Sequence, residues 1–246
     1  MVPTVKLSNP LSSDWTTMRP SLLPGMYQTL SENKNRSDKL KLFELTKIYI
    51  PRKNDLPLEE DRLCIGVVNI SFRKLKGIIE ALAKSTGINN LEIRKAENDT
   101  TTFVKSISGS IYANGIFVGS IGKIPLNIGT NFGLENSSIA DINFSKLSKL
   151  FLPTKNYVAT PSYPPFIEDL ALITKPKTSL GELIILIKKC SDLVYDVELL
   201  DEYENTKTLR IYYQSREKEL TAEEVRSVRL KILKLADEKF EAKLKT

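Results

Sequence analysis

The stretch "TLRIYYQSREKELTAEEVRSVRLKILKLADEKF" (residues 208–240) contains two different hydrophobic periods. Apolar and polar residues alternate over residues 208–215, which is typical of a half-buried strand. Apolar residues then recur at helical spacing up to Phe240. Thr221 and Glu224 have the spacing of a capping box, in which each side chain bonds the other residue's backbone N–H. The stretch therefore predicts a strand, a loop and a helix that begins after Thr221.

The flanking sequence completes a unit of six elements. Residues 205–207 are predicted to form a turn before the strand. Ser179 and Glu182 have the capping-box spacing and predict a second helix start. The remaining elements are predicted from "DLALIT" (169–174), "SLGELIILIKKC" (179–190), "LVYDVELLDEY" (193–203) and "FEAKL" (240–244). The order β-α-β-β-α-β is the ferredoxin-like split unit, which leaves one face of its sheet without helices.

Polar residues of the strand at 208–215 are predicted to lie on this open face. The period of two directs Leu209, Ile211 and Tyr213 toward the helices. The outward row then consists of Arg210, Tyr212, Gln214 and Arg216. Such a row suits an unstacked RNA base, because a ring stacks on the base and a guanidinium meets phosphate. The alternative is an ordinary solvated strand, which the balance of 16 basic and 16 acidic residues in 155–246 favours.

The first part of the chain predicts a second domain. Threonines and prolines interrupt the hydrophobic pattern in residues 150–165, which suggests domains at 1–152 and 155–246. Strands are predicted at 39–51, 62–70 and within 102–123, with a helix at 71–87. We expect a sheet with helices against one side, so that the fold class of the whole chain is α+β.

Composition excludes several classes of active site. The chain has no histidine, which excludes Ser-His-Asp and Cys-His nucleophiles and every histidine-ligated metal. Two distant cysteines exclude a CxxC metal site, and no glycine-rich phosphate loop is found. We therefore expect no catalytic residue, metal or cofactor on this chain. No apolar run is long enough to cross a bilayer, so a cytoplasmic protein without a membrane partner is expected.

Several motifs resemble one family in the order in which they occur. "NPLSSDWTTMRPSLLPG" (9–25), "LFELTKIYIP" (42–51), "GSIGKIP" (119–125) and "DINFSKL" (141–147) resemble the second half of the synthetase-like domain in the bacterial-type phenylalanyl-tRNA synthetase beta subunit. "YPPFIEDLALI" (163–173) and "YYQSREKELTAEEV" (212–225) resemble its ferredoxin-fold anticodon-binding domain. The resemblance implies a partial class II synthetase-like antiparallel sheet domain followed by an RNA-binding domain.

The resemblance also implies a function. The chain would be a tRNA-binding part of an aminoacyl-tRNA synthetase, a ligase of protein biosynthesis, without catalytic residues of its own. A partner alpha subunit would bind ATP and magnesium and attach phenylalanine to tRNA, in a hetero-oligomer. Tyr163 and Asp169 join the four outward residues as expected RNA contacts. The alternative is a free-standing RNA-binding or scaffolding module. Because the family's beta subunit is longer, we expect a C-terminal fragment or a reduced, split subunit.

Five features of the sequence carry further expectations. "KSISGS" (105–110) replaces the Pro-Gly-Arg of the family, the chain ends without the family's terminal arginine, and Glu168 replaces an arginine that the family uses toward RNA. Arg19 is expected to hold its own loop to neighbouring carbonyls or carboxylates, rather than to hold ATP. The first domain is expected to be an interface, because apolar segments such as "SLLPGMYQTL" (21–30) should leave hydrophobic surface that another protein covers.

Overall fold

The computed structural model describes residues 3–13, 16–95, 102–152, 161–176 and 178–245. The chain forms two compact units, Met1–Asn156 and Tyr157–Thr246. Both units combine antiparallel sheet with helices, so the α+β class is confirmed. The domain bounds at 152 and 155 stay a prediction, since residues 153–160 of the expected linker lie outside the described residues. None of the described helices is long and apolar enough to span a membrane.

The first unit is built on a six-stranded antiparallel sheet. Its strand order is β3-β4-β8-β7-β6-β5, and β1 with β2 forms a separate two-stranded sheet beside β3. Residues that pair across neighbouring strands share one face, which fixes which side chains meet each helix layer. The strands are β1 Val5–Lys6, β2 Thr17–Met18, β3 Leu40–Arg52, β4 Asp55–Val68, β5 Leu91–Lys95, β6 Ser108–Ala113, β7 Ile116–Lys123 and β8 Ser137–Asn143.

Helices cover both faces of this sheet. They are α1 Leu23–Asn33, α2 Phe72–Ser85, α3 Leu126–Phe132 and α4 Phe144–Leu147. On β4, Leu63 and Ile65 join the core under α2, whereas Cys64 and Val68 join the core under α1. The expectation of helices against one side is therefore wrong. The nearly continuous apolar run at 62–70 is typical of a strand that is buried on both faces.

Helix α1 lies directly on β4. Met26, Tyr27 and Leu30 of α1 are buried, and Leu30 lies so close to the sheet that a Cβ on Gly66 would approach it to 2.6 Å. The apolar residues of the segment 21–30 are thus largely part of the core. This segment therefore does not supply the expected apolar surface, which lies elsewhere in the first unit, as at Phe43 of β3. The expectation that the domain is an interface stays a prediction.

The second unit has the predicted ferredoxin-like order. Its elements are β9 Phe166–Ile173, α5 Leu180–Lys189, β10 Val194–Tyr203, β11 Thr206–Tyr213, α6 Ala222–Phe240 and β12 Lys243–Leu244. The sheet order is β10-β11-β9-β12, with every pair antiparallel. The turn between β10 and β11 consists of Glu204 and Asn205, so it begins one residue and ends two residues before the predicted turn at 205–207. Glu204 adopts a positive φ of 52°.

Local sequence signals fix the two helices of this unit. Both halves of the predicted capping box form at α6, between Thr221 and Glu224. At α5, the Ser179 hydroxyl accepts a hydrogen bond from the backbone N–H of Glu182. Both helices pack on one face of the sheet, around a core that includes Leu172, Leu183, Leu209, Ile211, Tyr213 and Ile232. No described helix covers the opposite face, called here the outer face.

Candidate nucleic-acid interface

Strand β11 divides its side chains between the two faces as the sequence predicts. Leu209, Ile211 and Tyr213 are completely buried under the helices. Arg210 and Tyr212 alternate with them and lie half-exposed on the outer face. The predicted orientation of these residues is therefore confirmed.

An ion pair lies at the centre of the outer face. Arg210 of β11 and Asp169 of β9 are directly opposite in the sheet register. The guanidinium donates two parallel hydrogen bonds, from Nε to Oδ1 and from Nη2 to Oδ2, each 2.8 Å long. The bond to Arg210 lowers the pKa of Asp169, and the same bond raises the pKa of Arg210. The side chains are 38% and 41% exposed, so solvent screens the pair and a ligand can reach it.

Tyr212 lies beside this ion pair and is held at its hydroxyl. The Tyr212 hydroxyl donates to Oε2 of Glu198 on β10, over 3.0 Å. That hydrogen bond is the main cause of the raised pKa of Tyr212. On its other side, Tyr212 is opposite Ile167 of β9, which is 50% exposed. The ring thus has an apolar neighbour and a fixed polar end, which suits it to stack against a base.

Gln214 has a role that the sequence did not reveal. Its Nε2 donates to the backbone carbonyl of Tyr163 over 2.7 Å, so the amide holds the segment before β9 to the end of β11. The Tyr163 side chain is 37% exposed. Arg216 is exposed three residues past the end of β11. Of the six predicted contacts, the sheet itself brings Asp169, Arg210 and Tyr212 together.

Glu168 lies on the opposite face of the sheet. Its Oε1 accepts from Nη1 of Arg229 on α6 over 2.6 Å, and its Oε2 accepts from the Tyr213 hydroxyl over 3.3 Å. Burial, followed by the Glu168 charge, raises the pKa of Tyr213. The substitution at 168 therefore supports the packing of α6 on the sheet. It does not remove a side chain from the face that carries Arg210 and Tyr212.

The charges around Arg210 do not form a basic surface. Arg210 is accompanied by Asp169 and by Glu198, which pairs with Arg210 in the register of β10 with β11. These two carboxylates beside one guanidinium leave little long-range attraction for phosphate at this point of the outer face. Sequence reasoning missed Glu198 and Ile167, because only the strand register places them beside Tyr212.

The α1 face of the first sheet also carries arginines, but both are bonded within the fold. Arg19 donates from Nε to the carbonyl of Lys47 over 2.8 Å, from Nη1 to Glu44 over 3.0 Å and from Nη2 to Thr46 over 2.5 Å. The expectation that Arg19 holds its loop to neighbouring carbonyls and carboxylates is confirmed. It ties the segment after β2 to the edge of β3.

Arg62 of β4 is held even more completely. It donates from Nε and Nη2 to the two carboxylate oxygens of Asp141, over 3.0 and 2.5 Å, and from Nη1 to Glu60 over 3.1 Å. Its side chain is only 19% exposed.

Within the described ranges, no group of three or more acidic or cysteine side chains is placed to hold a metal ion.

Comparison with known families agrees with both units. Residues 2–144 match the model described as "Phenylalanyl tRNA synthetase beta chain CLM domain". Residues 161–245 match the "Ferredoxin-fold anticodon binding domain". The chain belongs to the phenylalanyl-tRNA synthetase beta chain family. The resemblance seen in the sequence motifs is thereby confirmed.

Individual relatives show how much of the family protein is present. The phenylalanine–tRNA ligase beta subunit of Clostridium tetani is 30% identical over 98% of this chain and 32% of that protein. The beta subunit of Clostridium acetobutylicum is 26% identical with the same coverage. The chain spans about a third of the length of these curated relatives. A solved pyrrolysyl-tRNA synthetase from Desulfitobacterium hafniense gives a TM-score of 0.47 at 12% identity, covering 60% of this chain and 51% of that one, which is too slight a likeness to support an inference.

Proposed function

We propose that this chain is a tRNA-binding, non-catalytic part of a phenylalanine–tRNA ligase beta subunit. In this proposal, a partner alpha subunit attaches phenylalanine to tRNA with ATP and magnesium, in a cytoplasmic hetero-oligomer. The observation that carries the proposal is the second unit, which matches an anticodon-binding family model over residues 161–245 and has one sheet face without helices. The first unit supports it through its match to the beta chain model.

The outer face is the proposed RNA-binding surface. Tyr212 stacks on an unpaired base, since its ring is held by Glu198 and flanked by Ile167. Arg210 meets a phosphate or a base edge, in competition with Asp169. Gln214 acts as a positioning residue for Tyr163. Because two carboxylates accompany Arg210, affinity comes mainly from stacking and from a few hydrogen bonds.

The first unit is proposed to have no role in the chemistry. ATP binding in a synthetase needs cations that are available to the triphosphate. Arg19 and Arg62 instead donate to Glu44, Glu60 and Asp141. Removing either guanidinium from its carboxylates for ATP would leave negative charge uncompensated on this face.

A pyrophosphate-exchange assay tests whether the chemistry belongs to the alpha subunit rather than to this chain. The purified chain alone should catalyse no phenylalanine-dependent exchange between pyrophosphate and ATP. The alpha subunit from the same organism, when co-expressed, should purify together with the chain. Exchange by the chain alone, or a monodisperse monomer that ignores the alpha subunit, would contradict the proposal. The second result, together with normal tRNA binding, would instead support a free-standing RNA-binding module.

A further inference from the structure

Strand β3 offers backbone groups at the edge of the first sheet. Among the described strands, β3 is the first in the sheet order and pairs with β4 on one side. On the other side, the backbone N–H of Tyr49 donates to the carbonyl of Arg19 over 2.9 Å. Backbone groups of alternate residues point to the same edge of an antiparallel strand, so those of Phe43 and Leu45 also point to this edge. The described part of the chain supplies no partner for them.

An apolar groove begins at these same two residues. It has a volume of about 470 Å³. Phe43 and Leu45 lie opposite Ile65 and Leu63 in the register of β3 with β4, and all four side chains share the face under α2. Phe43 is 74% exposed and Leu45 is 46% exposed. The groove, called here the β3 groove, is lined by Lys41, Leu42, Phe43, Leu45, Leu63, Ile65, Ile78, Leu82 and Phe144.

One end of the β3 groove is basic. Lys41 lines it, and Lys74 lies on α2 one turn before Ile78, on the same side of the helix. Both lysines are exposed, and within the described residues neither is paired with a carboxylate. An occupant that places an acidic side chain at this end gains charge-assisted contacts, whereas a basic one is repelled.

A second copy of the chain fits this groove poorly. An antiparallel pairing of two β3 strands about Phe43 would set Lys41 of each copy against Leu45 of the other. An ammonium group would then enter the apolar part of the groove, at a desolvation cost. The charge pattern favours a different sequence as the occupant.

We propose that the β3 groove binds an extended segment of a partner protein, which adds to the sheet as a strand beside β3. Its backbone bonds the groups of Phe43 and Leu45 that have no partner among the described residues, as in other cases of β-augmentation. Two alternate apolar side chains enter the groove, and a carboxylate on the same side of the segment meets Lys41 and Lys74. This proposal does not depend on RNA binding by the second unit.

A peptide titration followed by NMR of the ¹⁵N-labelled full chain tests the proposal. The probe is a short acetylated and amidated peptide in which leucine, valine and glutamate alternate with threonine. The amide signals of Phe43 and Leu45 should shift, and a matched peptide with lysine for glutamate should bind about tenfold more weakly. Lys41→Glu should reverse this preference. Phe43→Asp should abolish binding of both peptides, whereas Leu56→Ser, which changes an 81% exposed leucine outside the groove lining, should leave it intact.

Three results would overturn the proposal. Equal affinity for the acidic and basic peptides would remove the charge argument, and binding retained in Phe43→Asp would place the peptide elsewhere. A dimer seen by analytical ultracentrifugation that Phe43→Asp dissociates would show that the occupant is a second copy. The amide spectrum of each variant, compared with that of the wild type, shows whether the unit is still folded.

Discussion

The two sheets of this chain use arginine in different ways. In the first unit, helices cover both faces of the sheet, and Arg62 is surrounded by Asp141 and Glu60 with only 19% of its side chain exposed. In the second unit, no described helix covers one face, and Arg210, which bonds the carboxylate of Asp169, is 38% exposed. The same bidentate contact is thus part of the core region in one unit and part of the accessible surface in the other. The coverage of the sheet, more than the residue type, decides whether an arginine is available to a ligand.

Removing each arginine should show the largest difference between the units. Arg62→Met should lower the free energy of unfolding by about 3 kcal/mol, because it leaves the carboxylates of Asp141 and Glu60 unpaired and poorly solvated. Arg210→Met should leave the stability nearly unchanged, since solvent already screens that pair. Urea denaturation with hydrogen exchange of peptides from β4 and β11 measures each unit separately. Similar losses in both variants would contradict the distinction.

A smaller effect, on RNA affinity, is expected when the carboxylate that binds Arg210 is removed and the arginine itself is kept. Asp169→Asn removes the carboxylate that holds the guanidinium, so affinity for an anticodon stem-loop should rise about 2–5-fold. Glu223→Gln removes the same charge from an exposed position on α6 and serves as the control. An equal rise in both variants would assign the effect to net charge alone. A fall in Asp169→Asn would mean that Asp169 itself contacts the RNA.

The smallest effect is expected on the helix-covered side of the second unit, whose residues should stabilise the fold without contacting RNA. Bonds from Lys218 and from the backbone of Thr221 lower the pKa of Glu224 from 4.5 to about 2. Because the folded-state pKa is depressed, its contribution is present above pH 4.5 and is lost as the pH falls toward 2. Thermal unfolding over this range should be less pH-dependent in Glu224→Gln than in Glu223→Gln. RNA affinity at neutral pH should be the same in both, and a loss in Glu224→Gln alone would contradict the separation of the two sides.

Local patterns predicted most of the second unit. The alternation of Leu209, Ile211 and Tyr213 and the capping box at Thr221 depend on residues a few positions apart, and both are present in the structure. The contacts of the candidate site could not be predicted from local patterns, because Arg210 and Asp169 are 41 residues apart in the sequence. Only the strand register brings such pairs together, and no local pattern specifies it.

The first unit shows a signal that was present but misinterpreted. The continuous apolar run that contains Leu63, Cys64 and Ile65 indicates a strand covered on both faces, yet helices were expected on one side. The β3 groove had no such signal. Phe43 and Leu45 lie on either side of Glu44, as apolar residues do in any half-buried strand, and the position of β3 at the sheet edge leaves them exposed.

Titration of a tRNA anticodon stem-loop against the full chain most directly tests whether the outer face binds RNA. Tyr212→Ala removes the proposed stacking ring, so the affinity at fixed salt should fall about 5–150-fold. Phe43→Ala removes a more exposed ring from the first unit and should leave RNA affinity unchanged. In the titration of the acidic peptide against the β3 groove, Phe43→Ala should weaken peptide binding, whereas Tyr212→Ala should leave it unchanged. Equal RNA affinities for the wild type and Tyr212→Ala would contradict the assignment of this face to RNA.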